Sequence, residues 1–256
     1  MSRFNPTERF SSRVADYVRY RPGYPPELMQ WLHHDIGVAS STPVADIGAG
    51  TGISTRLFLD AGHPVVAVEP NAAMRRAAEQ WLAPTHPRLR LVEGSAEATT
   101  LADASVGLVS AAQAFHWFDT QAVRTEWRRI LQPGGLALVY WNSRLLDVSP
   151  FLSGYERLLH EYGTDYNAVS DSYQDDATMR TWFHNGLRGA IQLPNAQRMD
   201  FDALRGRLLS SSYAPQAGHP AHAPMLDALR RLFDAHAVDG QVVFEYRTRA
   251  FVGTLD

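Results

Sequence analysis

The chain has no cysteine among its 256 residues. Disulfides, thiolate nucleophiles and cysteine metal sites are therefore excluded. Lysine is missing as well, all 24 basic residues being arginine, so a Schiff base or a lysine general base is impossible. No run approaches the roughly eighteen uninterrupted apolar residues of a membrane-crossing helix. The opening Met1-Ser2-Arg3-Phe4-Asn5-Pro6 lacks the apolar segment of a secretory signal. The expectation is a cytoplasmic protein with no membrane partner. A net charge of −3 gives no basic footprint for nucleic acid. The histidines offer no H-x-x-x-H or H-E-x-x-H spacing, and His33-His34 and His219-x-x-His222 lack a third ligand. No metal site is expected.

What is present suits a single α/β domain: ordinary hydrophobic and charged fractions, 45% and 20%, in a chain long enough for a full core. Strand and helix signals alternate from about residue 43 to 142, the pattern of a parallel sheet flanked by helices. Strands are expected at Pro43–Gly48, Pro64–Glu69, Leu89–Val92, Val106–Ser110 and Leu136–Trp141. Asn71 caps a helix whose Met74, Ala77, Ala78 and Trp81 fall at helical spacing. Pro133-Gly134-Gly135 stops a helix over Thr120–Leu131 and starts the fifth strand. From about 145 to 185 the chain reads as aromatic-rich helices, a cap inserted after strand five. A strand near Gly189–Leu193 and helices over Phe201–Ser211 and Pro224–His236 follow. In Gln241 to Val252, alternation puts Val242, Phe244, Tyr246, Thr248, Ala250 and Val252 on one face of a last strand.

The chemistry begins at Val44-Ala45-Asp46-Ile47-Gly48-Ala49-Gly50-Thr51-Gly52, followed by Val65-Val66-Ala67-Val68-Glu69. Glycines at a strand end let a ligand approach the backbone where a Cβ would collide. Glu69, at the end of the next strand, is placed to accept hydrogen bonds from a ribose diol. Gly52 is followed by Ile53-Ser54 rather than Lys-Ser/Thr, and the glycines alternate, so neither the Walker loop nor the dinucleotide fingerprint is met. Asp46 would repel a pyrophosphate but can orient an amino group or backbone amides near a cationic ligand. The competing reading is an ordinary strand–helix turn with a surface glutamate.

This D-x-G-x-G-x-G with its following acid resembles the class I S-adenosylmethionine-dependent methyltransferases. Tyr17-Val18-Arg19-Tyr20-Arg21-Pro22-Gly23-Tyr24-Pro25, Gln113-Ala114-Phe115-His116-Trp117-Phe118-Asp119, Trp141-Asn142 and Ser210-Ser211-Ser212-Tyr213 resemble the methyltransferase type 11 and trans-aconitate methyltransferase-like subgroup. The resemblance implies a Rossmann-like seven-stranded sheet, parallel except for its last strand, and S-adenosylmethionine as cofactor. It implies that Gly48, Ala49, Gly50 and Thr51 cradle the methionine part, that Glu69 and Pro70 border the ribose, and that Tyr17 and Arg21 form a lid within about residues 1–25. It also implies that backbone amides at Ser95 and Ala96 read the adenine, beside Glu97, Gln113, Ala114 and His116. Many relatives carry aspartate where Ala96 stands, which puts side-chain recognition of the adenine in doubt.

The residues leave several roles open. Arg21 reads as a clamp on the cofactor carboxylate or as a surface stem packed on a helix. His116 reads as a base or, between aromatics, as a structural histidine. Asn142 either orients an acceptor or caps a loop. The expected reaction is methyl transfer to a small acceptor bearing a carboxylate, hydroxyl or amine, by a monomer or homodimer. One alternative is cyclisation of the cofactor's own aminobutyrate part to azetidine-2-carboxylate with release of methylthioadenosine, held by Asn142 and Tyr173. Another is a catalytically silent cofactor-binding partner protein.

Overall fold

A computed structural model describes residues 20–164, 166 and 176–255. Tyr17 and Tyr173 lie outside the described residues, as does most of the expected lid. The strands are β1 (Val44–Ile47), β2 (Val65–Val68), β3 (Leu89–Val92), β4 (Val106–Ala112), β5 (Leu131–Arg144), β6 (Leu187–Met199) and β7 (Val242–Gly253). They form one sheet in the order β3-β2-β1-β4-β5-β7-β6. The pairs from β3 through β5 are parallel, and β7 runs antiparallel to both neighbours. The strand order reverses between β1 and β4, which opens a crevice at their carboxyl ends.

The helices are α1 (Glu27–His34), α2 (Ile53–Asp60), α3 (Ala72–Leu82), α4 (Thr120–Ile130), α5 (Pro150–Tyr162), α6 (Asp176–Phe183), α7 (Phe201–Leu209) and α8 (His222–His236). Polar caps set several starts. Asn71 accepts from the amides of Ala73 and Met74, and Asp119 from those of Gln121 and Ala122. Every residue of β1 is buried, as a central strand covered on both faces requires. One face carries Ile47, Val109, Trp127, Trp141 and Phe251, and the other Leu28, Leu32, Phe58, Leu138 and Tyr140.

Two expectations shift. Pro133-Gly134-Gly135 lies inside β5 rather than before it, where the register slips between Leu131 and Leu136, and Gly134 takes φ +76°. An irregularity that keeps its strand pairing reads as a turn from sequence. The expected cap also divides. In α6, Met179 and Phe183 pack on the sheet core. The helices that roof the crevice are α5 and α7, backed by α8 and joined to the far ends of β6 and β7 through Tyr155, Leu204, Leu208, Leu229, Phe244 and Tyr246. The alternating face expected of β7 is the buried one, with Val242, Phe244, Tyr246 and Thr248 at or below 2% exposure.

Candidate active site

The glycine turn leaves the end of β1 and folds over β2, with Gly48 and Ala49 donating to the Val68 carbonyl at 2.9 and 3.2 Å. Gly48 needs to be glycine twice over: its φ is +67°, and a Cβ would meet that of Ala114 at 2.8 Å. At Gly50, φ +59°, nothing but the Met74 sulfur at 3.9 Å stands where a Cβ would be. That space opens into the crevice. Glu69 holds the turn in place: Oε2 accepts from the Gly50 amide at 2.9 Å and Oε1 from that of Asn71 at 2.8 Å. Burial pushes its carboxyl up, and the Asn71 and Gly50 amides restrain the shift. Arg75 pins the same corner, Nη1 reaching the Glu69 and Pro70 carbonyls at 2.6 and 2.7 Å and Nη2 reaching Glu93 at 2.6 Å.

Asp46 is not where the sequence suggested. It is fully buried beneath the turn and lines neither cavity. Oδ2 accepts from the hydroxyls of Ser54 and Thr55, each at 2.6 Å, so the carboxyl supports the first turn of α2. Burial pushes its pKa up to about 6, those hydroxyls and Ser110 only partly countering it. An acid two residues before such a turn points either into the crevice or under it, and strand periodicity alone does not decide which.

Two cavities share the turn. The smaller, about 230 Å³, is bounded by Gly48, Gly50, Glu69 and Pro70, by Ser95, Ala96 and Glu97, and by Gln113 and Ala114. Those sequence-predicted residues converge. Asn71, Met74, Trp117 and Phe118 also line it. Trp117 and Phe118 stand inside a motif already singled out, but their own part in the wall had no separate signal. The Ser95 amide is a correction: it donates to the Ala98 carbonyl at 3.1 Å and does not face a ligand. Among the described residues neither the Ala96 nor the Glu97 amide makes a hydrogen bond, so donors remain at that edge.

The larger cavity, about 420 Å³, runs from Gly48, Ala49, Gly50 and Thr51 past Gln113, His116 and Asn142 to the cap. Gln113 sits at φ +55°, an uncommon conformation for a side-chain-bearing residue, and its Nε2 donates to the Asn142 carbonyl at 3.2 Å. Burial pushes His116 down to about 4. A ring that stays neutral at pH 7 and holds a proton that weakly is a poor general base. The Asn142 carboxamide is committed to the protein. Oδ1 accepts from Thr248 at 2.6 Å and Asn195 at 3.1 Å, and Nδ2 donates to the Gly23 carbonyl at 2.9 Å. Asn142 thereby positions the segment entering the fold.

Arg21 meets the cap instead of standing alone. Nε donates to the Ser210 hydroxyl and Nη2 to its carbonyl, both at 3.1 Å, which gives the Ser210–Tyr213 run a structural partner. Deeper in, Arg144 on β5 donates through Nη2 to Glu156 and, at 2.6 Å, to the Tyr166 hydroxyl. Arg207 on α7 donates through Nε to the Tyr246 hydroxyl at 3.3 Å and through Nη1 to the Ser211 hydroxyl at 3.1 Å. Sequence reasoning singled out neither Arg144 nor Arg207, because they lie in separate elements and converge only in the fold.

A glycine turn at the switch point of a parallel sheet, with an acid at the next strand end, defines a Rossmann-like protein that holds an adenosine ligand. The cradle fits S-adenosylmethionine: glycine backbone without a Cβ at the crevice, a braced carboxylate at the wall of the smaller cavity, and an imidazole that stays uncharged in the wall of the larger. Residues 45–139 match the family model described as a methyltransferase domain. An uncharacterized methyltransferase of Mycobacterium tuberculosis is 33% identical over 229 residues, 89% of this chain and 86% of that one. A solved structure described as a putative type II methyltransferase from Anaeromyxobacter dehalogenans is 25% identical, with a TM-score of 0.69 over 92% of this chain and 98% of that one. The fold is shared with a Haemonchus contortus phosphoethanolamine N-methyltransferase solved with phosphomonomethylethanolamine and S-adenosylhomocysteine. There identity is 15% and the TM-score 0.56, over 95% of this chain and 57% of that one. The chain belongs to the S-adenosylmethionine-dependent methyltransferases.

Proposed function

We propose that the protein moves the methyl group of S-adenosylmethionine onto a small acceptor seated between the glycine turn and the helical cap. The observation that carries this reading is the 420 Å³ cavity, which shares Gly48, Gly50, Gln113 and Trp117 with the smaller one. The adenosine would fill the smaller cavity, with the ribose on Glu69 and Pro70 and the adenine edge on the Ala96 amide, beside Glu97 and Ala114. Gly48 to Thr51 would bear the methionine part, with Arg21 and Tyr17 closing over it.

Bound there, the cofactor supplies a methyl on a cationic sulfur. With the cofactor held there, the acceptor's lone pair would take the methyl, the carbon–sulfur pair would return to sulfur, and any acceptor proton would leave to water. The protein's work is to hold nucleophile, methyl and sulfur in line. Gln113, fixed by its backbone and by the Asn142 carbonyl, and the neutral His116 wall would set that line. Mass spectrometry of the full chain with the cofactor and a pool of small metabolites tests this. S-adenosylhomocysteine formed only with the pool, alongside a methylated metabolite, is expected. Methylthioadenosine formed without any acceptor would overturn it.

A further inference from the structure

The larger cavity has an uneven charge. Among its described lining residues, Arg144 and Arg207 stand beside one carboxylate, Glu156, and His160. Glu156 is already engaged, bound by Arg144, by the Tyr166 hydroxyl at 2.8 Å and by His160 at 3.2 Å. Arg207 is 7% exposed and has no carboxylate within ion-pair distance among the described residues. Among the described residues its side chain makes two hydrogen bonds, both to neutral hydroxyls and neither through Nη2, and the residue lines the cavity. Nη1 of Arg144 is likewise buried without a hydrogen-bond partner among the described residues. The two guanidiniums share one aromatic floor, 5.6 and 5.9 Å from the Phe244 ring centre. Burying a cation without its counter-charge is strongly unfavourable. Tyr213 senses the excess: burial pushes its phenol up, yet Arg207, Arg21 and Arg144 together bring it below the usual value.

We propose that the acceptor is a small organic anion whose carboxylate or phosphate is held by Arg207 through Nη2, with Arg144 adding positive charge beside it. This rests on the reading of the larger cavity as the acceptor's seat. The anionic group is a handle: a planar guanidinium supplies N–H donors suited to a planar or tetrahedral oxyanion. It sets which acceptors enter and need not itself be the atom methylated.

The test is calorimetry on the full chain loaded with S-adenosylhomocysteine, in an amine buffer. Benzoate and phenyl phosphate are titrated against their neutral counterparts benzamide and benzyl alcohol. At least one anion is expected to bind about tenfold or more tightly than its neutral counterpart, as a charge-assisted contact implies. Which of the two wins identifies the oxyanion. Arg207→Gln should erase the preference while S-adenosylhomocysteine still binds, and Arg207→Lys should keep part of it. If Arg207→Gln does not fold, Arg144→Gln carries the same comparison. No anion binding by the parent chain, equal binding of anion and neutral counterpart, or a preference surviving both glutamine variants would each overturn the proposal. Failure of S-adenosylhomocysteine itself to bind would instead strike the methyltransferase reading.

Discussion

At the residue scale, the site depends on how two carboxyls are buried. Glu69 is braced by two amides with its remaining lone pairs toward the smaller cavity. Glu69→Ala should weaken S-adenosylmethionine binding by about tenfold or more, the scale of lost charge-assisted hydrogen bonds. Calorimetry checks this, and an unchanged affinity would remove Glu69 from the ribose. Asp46 acts at one remove, under the turn, with a pKa pushed up to about 6. Above that pH it is an anion beneath a cationic sulfonium, and below it a neutral acid. The preference for S-adenosylmethionine over the uncharged thioether product should therefore grow as pH rises through about 6. In Asp46→Asn the ratio of the two affinities should stay flat, and a ratio that still climbed would put the titration elsewhere.

At the element scale, much of the architecture was legible. The four residues of β1 are apolar but for Asp46, and α3, α4, α5 and α7 begin at residues with capping oxygens. The glycine turn was legible because positive φ and close approach leave few residue choices. The cap was less so. Helix α6 has the same aromatic, amphipathic character as α5, yet packs on the sheet while α5 packs on α8. Periodicity reports that a helix buries a face, not against what. Asn142 shows the same limit, since a carboxamide after a strand can serve a ligand or the chain. Here it joins β5, β6, β7 and Gly23. Asn142→Ala should speed amide hydrogen exchange in the segment before α1 without accelerating it in β1 or β2. Uniform acceleration across the sheet would mean that Asn142 supports the core instead.

At the scale of the whole molecule, two buried groups pull stability in opposite directions with pH. The His116 value is depressed from 6.5 to about 4, so its contribution is full above pH 6.5 and lost as pH falls toward 4, about 3 kcal/mol in all. The Asp46 value is raised from 3.8 to about 6, so its burial burdens the fold above pH 6. That burden lifts as pH falls toward 3.8, again by about 3 kcal/mol. Glu69, also raised, adds to the second effect, while His33 and His63, both lowered by burial, add to the first. Asp46→Asn should therefore lose stability more steeply than the parent between pH 6.5 and 4. Urea midpoints at several pH values measure it, and parallel profiles for the two proteins would refute the offset.

The β6–β7 pair has a mechanical meaning. It is paired from Gly253 beside the sheet core to Val242 under the cap, broken only by a register shift between Leu187 and Gly189. A beam built into both layers resists any hinge between them, so the roof cannot swing open as a body. On the proposed reading, acceptor size would be a matter of which side chains project from α5, α7 and the beam's outer end, while the cofactor's seat would be made by earlier parts of the chain. The two halves could then vary separately: an inherited change in the roof would redraw what is methylated and leave the methyl donor's berth as it was.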